Sequence, residues 1–269
     1  MSSSGSTEYK YWFEGLMPKQ HEAVVKLLES PYEWVPAPTA MDAETIFASW
    51  IVCAFLICMA VLGRMGLNSV SSKEGVSKYY ADESLSMRNV FELYVGGIRD
   101  LSNGIIGSKN TKVFFWFFGG LFLYILSNNI LGLLPNATSP SINISNNVAL
   151  ALSVLIFFTA VGFQRQGMGF IAHLFGPKLP WWLIPVTLLI FVIETLGTFI
   201  IRPASLSLRL TGNMNGDHTI LGFAYSAVPY FLPLLAYGLG LFVSLIQSFV
   251  FTLLSIIYVL LSLEHDDHH

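Results

Sequence analysis

Arg209 is the residue whose chemistry is hardest to place. It lies in a stretch from Trp181 to Tyr225 that is mostly apolar but also holds Glu194, Arg202, Asp217 and His218. A guanidinium in hydrocarbon costs about 2.5–3.5 kcal/mol on insertion scales. It cannot escape that cost by losing its proton, because its pKa lies above about 12. It therefore needs water or a carboxylate. Along a helix, Glu194 would be about 22 Å away and Asp217 about 12 Å away, so neither is a close partner. The last apolar stretch supplies no acid, only Gln247. The counter-charge must then come from another subunit or from a passing ion. Arg202, beside Pro203, is different, because near a helix end it can snorkel to the interface.

The neighbours of Arg209 suit proton handling. At about 100° per residue, Asn213 projects about 40° from Arg209, whereas His218 projects about 180° away. Imidazole titrates near pH 6.5 when unperturbed, in the range a proton relay requires. Asn213 and Gln247 are of the type that hydrogen-bond between membrane helices. Other chemistries find no support. His21–Glu22 begins like a zinc-protease helix, but Val25 stands where the second histidine would be. No Gly-x-Ser-x-Gly and no phosphate-binding glycine loop occurs. The tail Glu264–His269 reads as a solvated acidic end, and no metal site or cofactor is expected.

These groups are positioned by elements that the charge pattern reveals. The chain has 269 residues, of which 54 % are apolar and 12 % charged, with 14 Lys+Arg against 17 Asp+Glu. Soluble domains carry about 25 % charged residues. The balance lacks the basic footprint of a nucleic-acid binder. No Asp, Glu, Lys or Arg occurs in 45–63, 113–164, 179–193 or 219–263. A crossing needs about 20 apolar residues, so these stretches hold several crossings.

Expected crossings run over 45–63, 113–134, 148–163 and 228–263, with the long segment 181–225 between the last two. That segment is too long for one upright helix and must tilt or lie partly across the membrane. Between the first two crossings, Met87, Val90, Phe91, Tyr94, Val95, Ile98 and Leu101 recur at helical spacing. Such an amphipathic helix lies in the interface or packs on other helices. Cys53 and Cys58 point to different sides of one helix and read as packers rather than a disulfide.

Lysines and arginines gather in the 64–112 and 165–178 loops, which positive-inside counting places in the cytoplasm or matrix. The expected class is an all-α polytopic membrane protein. It has about five membrane-embedded helices, an interfacial amphipathic helix and a long tilted C-terminal hairpin. Residues 1–44 would form an N-terminal extracytoplasmic segment and 45–269 the membrane domain. Within that domain, 64–112 would be a cytoplasmic loop and 181–263 the proton-conducting hairpin.

The run Ser205-Leu206-Ser207-Leu208-Arg209-Leu210-Thr211-Gly212-Asn213-Met214 resembles the signature of subunit a of the F-type ATP synthases, with Pro203 and His218 at matching spacings. Two further patches agree. One is Asn129-Ile130-Leu131-Gly132-Leu133-Leu134-Pro135 followed by Pro140 and Asn147–Leu152. The other is Ile246–Leu254 around Gln247. Two departures stand out. Gly240 occupies a position where many relatives carry an ionisable group. Glu194 lies nine residues before Pro203, where eight is expected from the resemblance.

The resemblance implies a hairpin that faces a ring of c subunits, each carrying a membrane-embedded carboxylate. It also implies peripheral-stalk b subunits, the rest of the synthase and membrane lipid as partners. Arg209 would be the fixed charge between two offset half-channels. Glu194 would lie on the cytoplasmic side, with Asp217 and His218 on the outer side, and Asn213 and Gln247 beside the arginine. The chain would bind no nucleotide and would not be an enzyme alone. The expected location is the bacterial inner (plasma) membrane, with the mitochondrial inner membrane as the alternative. A stand-alone ion transporter or channel is the other class considered. It would show internal symmetry and a midplane site built by the chain itself, and neither is visible.

Overall fold

The computed structural model describes residues 40–71, 87–134, 137–167, 169–170, 184–227 and 231–263. Residues 1–39, 72–86 of the 64–112 loop, 171–183 and the tail 264–269 lie outside this set. The described residues are helical throughout, apart from short turns. They form α1 (Ala40–Ser71), α2 (Met87–Leu133), a 3-10 turn (Pro140–Ile142) and α3 (Ile144–Gln166). These are followed by α4 (Ile184–Leu196), a π-helical turn (Gly197–Ile201), α5 (Arg202–Ala227) and α6 (Phe231–Leu263). Five helical stretches are long and apolar enough to cross a membrane: 45–64, 89–133, 144–166, 185–227 and 231–263. The protein is an all-α polytopic membrane protein, as the charge pattern requires.

Helix α2 shows what periodicity could not. Its backbone breaks at Gly107, with φ 77° and ψ 158°, a conformation that L side chains rarely adopt and glycine adopts freely. The two arms fold back on each other. Tyr94 Oη donates to the Gly119 carbonyl at 2.6 Å across 25 residues of sequence, and its ring stacks on Phe122. Ile98, Ser102 and Ile106 are buried on the same stripe. Of the two sequence alternatives for the amphipathic helix, the structure shows packing on a neighbouring helix.

The core lies between the second arm of α2, α3, α5 and α6, around Phe118, Ile125, Phe158, Leu210, Phe251 and Ile256. Phe117 and Phe157 stack at 3.8 Å between centroids. Lipid is as apolar as these side chains, so close packing and interhelical hydrogen bonds must hold the helices together. Small residues on α6 allow that approach: Ser244, Ser248, Thr252 and Ser255 are buried. Three of their hydroxyls donate to carbonyls one turn back, Ser248 to Ser244, Thr252 to Ser248 and Ser255 to Phe251, at 2.8–2.9 Å. In this way three of the four hydroxyls on the stripe are satisfied within the helix, while the Ser244 Oγ is buried without a partner among the described residues.

Polar groups join the two ends of the bundle. At the basic end, Arg165 Nη2 donates to Asn110 Oδ1 at 3.4 Å, and Gln166 Nε2 donates to the Ser262 carbonyl at 2.9 Å. At the other end, Ser139 caps the 3-10 turn and its Oγ donates to the Asn128 carbonyl at 2.8 Å. Asn143 caps α3 by accepting from the Ser145 amide. Cys53 and Cys58 are free and exposed on α1.

Candidate functional site

Helix α5 buries one side and leaves the other open. Pro203, Leu206, Ser207, Leu210 and Met214 face the bundle. Arg209 and Asn213 are exposed on the opposite side, as their spacing requires. Among the described residues, Arg209 has neither an ion pair nor a side-chain hydrogen bond. The open side around it mixes apolar and small polar residues: Leu208 is 59 % exposed and Ile220 48 %, and Ser205, Asn215 and Thr219 are exposed as well. A permanent cation on this outer face therefore looks away from its own chain.

Next to it, Asn213 Nδ2 donates to Gln247 Oε1 at 2.6 Å, which ties α5 to α6. Gln247 is buried, and its Nε2 has no hydrogen-bond partner among the described residues. Asp217 and His218 lie further along α5 and are half-buried, and His218 Nε2 is likewise without a partner. Glu194 is half-buried on α4, across the π-helical turn. The structure thus brings Arg209, Asn213 and Gln247 into one neighbourhood, places Asp217 and His218 beyond it toward the Gly132 end, and keeps Glu194 apart.

Arg202 contrasts with Arg209. Its guanidinium carbon sits 5.3 Å from the centroid of the Tyr258 ring on α6. The ring holds it in place, so snorkelling is not needed to account for it.

The sequence analysis assigned no role to a second polar cluster. Asn147 Nδ2 donates both to Thr211 Oγ1 and to the Ser141 carbonyl, each at 2.7 Å, and Thr211 donates to the Ser207 carbonyl. Around this link, Asn128, Asn129, Ser141 and Asn147 are buried and carry side-chain atoms without partners among the described residues. The available signal was the recurrence of asparagine at the margins of two apolar crossings, where an unpaired amide costs several kcal/mol, about 4–8 in a fully apolar medium.

Two glycines mark close approach at this end. A Cβ at Gly132 would collide with the Met214 side chain and with Ser139, and one at Gly240 would meet Leu133 Cδ2 at 2.6 Å. The Gly240 position is therefore filled by an apolar neighbour, with no room for an ionisable side chain unless Leu133 moves. Asp217 and His218 are the acid and imidazole on α5 toward this end of the hairpin.

Comparison with known proteins agrees across most of the chain. A family model described as ATP synthase A chain matches residues 46–260. A protein named ATP synthase subunit a from Geotalea daltonii is 36 % identical over 222 residues, covering 82 % of this chain and 88 % of its own length. The protein of the same name from Geobacter sulfurreducens is 34 % identical with the same coverage. That from Nitratidesulfovibrio vulgaris is 33 % identical over 225 residues, covering 84 % and 88 %.

Proposed function

The chain belongs to the ATP synthase A chain family, and on that premise we propose that it conducts protons past Arg209 as the membrane stator of a rotary F-type ATP synthase. The observation that carries this reading is the exposed Arg209, unpaired among the described residues, on the open face of a membrane-length helix. A ring of c subunits, each bringing a carboxylate past that face, supplies the missing counter-charge. When a carboxylate arrives, the guanidinium favours its ionised form, and the proton leaves. Because arginine keeps its own proton, it cannot pass one straight through the barrier, which a lysine could do more readily.

Protons need hydrated or titratable paths on either side, since dry hydrocarbon offers none. The buried side-chain atoms of Asn128, Asn129, Ser141 and Asn147, together with Asp217 and His218, suit an outer path. Their demand for hydrogen-bond partners is the kind that water in a channel meets. Glu194, on the other side of Arg209, suits the inner path. The gathering of Lys109, Lys112 and Arg165 at one end makes that end cytoplasmic by the positive-inside rule. The 44 residues of 184–227 would span about 65 Å as a helix, so this segment runs obliquely along the ring. Peripheral-stalk b subunits hold the chain against rotation. It binds no nucleotide itself and resides in the bacterial plasma membrane.

The test is ATP-driven proton pumping by the whole complex in proteoliposomes. Arg209→Ala should abolish pumping while soluble-sector ATP hydrolysis persists, and should raise passive proton leak. Wild-type pumping by an assembled Arg209→Ala complex would reject the reading.

A further inference from the structure

The π-helical turn at Gly197–Ile201 lies between Glu194 and Arg209, and the reading above has no use for it. The Arg202 amide bonds to the Gly197 carbonyl, five residues back rather than four. Pro203 follows directly and is buried. Proline has no N–H, and in an α-helix its ring meets the carbonyl four residues earlier, here that of Phe199. A widened turn just before the proline relieves that crowding.

A turn closed by five residues holds one residue more than an α-helical turn, so everything before it is rotated by about 100° relative to a straight helix. On a straight α-helix, Glu194 would project about 60° to one side of Arg209 while Asn213 projects about 40° to the other. With one residue absorbed, Glu194 moves onto the same azimuth as Asn213, about 40° from Arg209. The surplus residue between Glu194 and Pro203 noted in the sequence is then taken up by the turn. The same rotation puts Ile193 on the open flank that carries Leu208, and the two are 60 % and 59 % exposed.

We propose that the Gly197–Ile201 turn is a register device that aligns Glu194 with Asn213 on one flank of Arg209, leaving the flank of Leu208 and Ile193 to the ring. Glu194 and Asn213 then form one polar line, with the arginine at its edge. This inference rests on the ring-facing reading of Arg209, and its test separates the two.

The experiment uses the assembled complex in native membranes, with Cys53 and Cys58 replaced by serine and a cysteine on the outer surface of the ring subunit. Single variants Leu208→Cys, Ile193→Cys and Phe191→Cys are oxidised and scored for a disulfide to the ring. Leu208→Cys and Ile193→Cys should cross-link and Phe191→Cys should not. Cross-linking at 208 and 191 but not at 193 is the straight-helix pattern and overturns the register. Failure at all three, Leu208→Cys included, overturns the ring-facing reading instead.

A second arm reads transport. Deleting Ile200 in a Pro203→Ala background converts the turn to α-helix while keeping Glu194 in line with Asn213, so pumping should stay within about threefold of Pro203→Ala alone. Inserting one alanine after Ile200 in that background should cost at least about tenfold, because small misplacements in a reacting constellation are that expensive. Equal losses from deletion and insertion at equal assembly would also overturn the register. Where a length variant fails to assemble, the cross-linking pattern decides.

Discussion

Arg202 and Arg209 stand two turns apart on α5, about 10 Å along the axis, and the protein treats them in opposite ways. Arg202 is half-buried with its guanidinium over the Tyr258 ring. Arg209 is exposed and has no partner among the described residues. A cation over an aromatic face gains about 0.5–2 kcal/mol depending on desolvation, enough to help fix a side chain within a bundle. Arg209 gains no such contact from its own chain, and the proposed function supplies the other charge from outside it. On the proposed function, the same residue type serves assembly at one site and transport at the other, and the partner decides which.

Four experiments sharpen or break that contrast. The largest effect should come from Arg209→Lys. Lysine keeps a charge but can shift its pKa when desolvated, so coupled pumping should fall by about a hundredfold or more. A conservative exchange that preserved pumping in proteoliposomes would make Arg209 no different from Arg202.

Next comes the pair Asp217→Asn with His218→Leu. Losing a relay group slows general acid–base steps by about 10²-fold or more where the group acts directly. With water still present in the path, a drop of about tenfold in proton flux is expected, with no rise in passive leak. Fluorescent pH-gradient measurements on matched amounts of complex test this. Unchanged flux would make His218 a bystander.

Gln247→Leu removes the acceptor of the Asn213 amide. Interhelical hydrogen bonds in membranes average about 0.6 kcal/mol, so assembly should persist while pumping falls several-fold through loss of positioning. Equal pumping by matched amounts would reduce the pair to packing.

The smallest effect belongs to Arg202→Met, which replaces a cation on Tyr258 with an apolar chain of similar reach. Thermal stability of the complex should fall by about 1 kcal/mol at most, with pumping within about twofold of wild type. A loss as severe as that of Arg209→Lys would erase the contrast between the two arginines.

The charge-free stretches marked the membrane-length helices apart from 185–227, which carries Glu194, Arg202, Arg209 and Asp217, because the need for about 20 apolar residues is a local property of the chain. Helices α1, α3 and α6 lie where the sequence placed them, with ends displaced by a few residues as caps such as Asn143 extend them. The exposure of Arg209 and Asn213 on one face also followed from spacing, since 100° per residue holds along an unbroken helix. The rule failed where the helix departed from that geometry. The reversal at Gly107 depends on a positive φ that only a glycine among many permits, and nothing local distinguishes it from Gly104.

Sequence alone determined that this is an all-α polytopic membrane protein with an arginine set deep in an apolar stretch, because hydropathy and charge are properties of each segment by itself. Tertiary structure decided what those segments do to each other. Leu133 fills the space at Gly240, Thr211 receives the Asn147 amide, Tyr258 covers Arg202, and a widened turn stands between Glu194 and Arg209. Each of these depends on groups far apart in the chain, or on one extra residue in a helical turn. A periodic pattern carries no term for either.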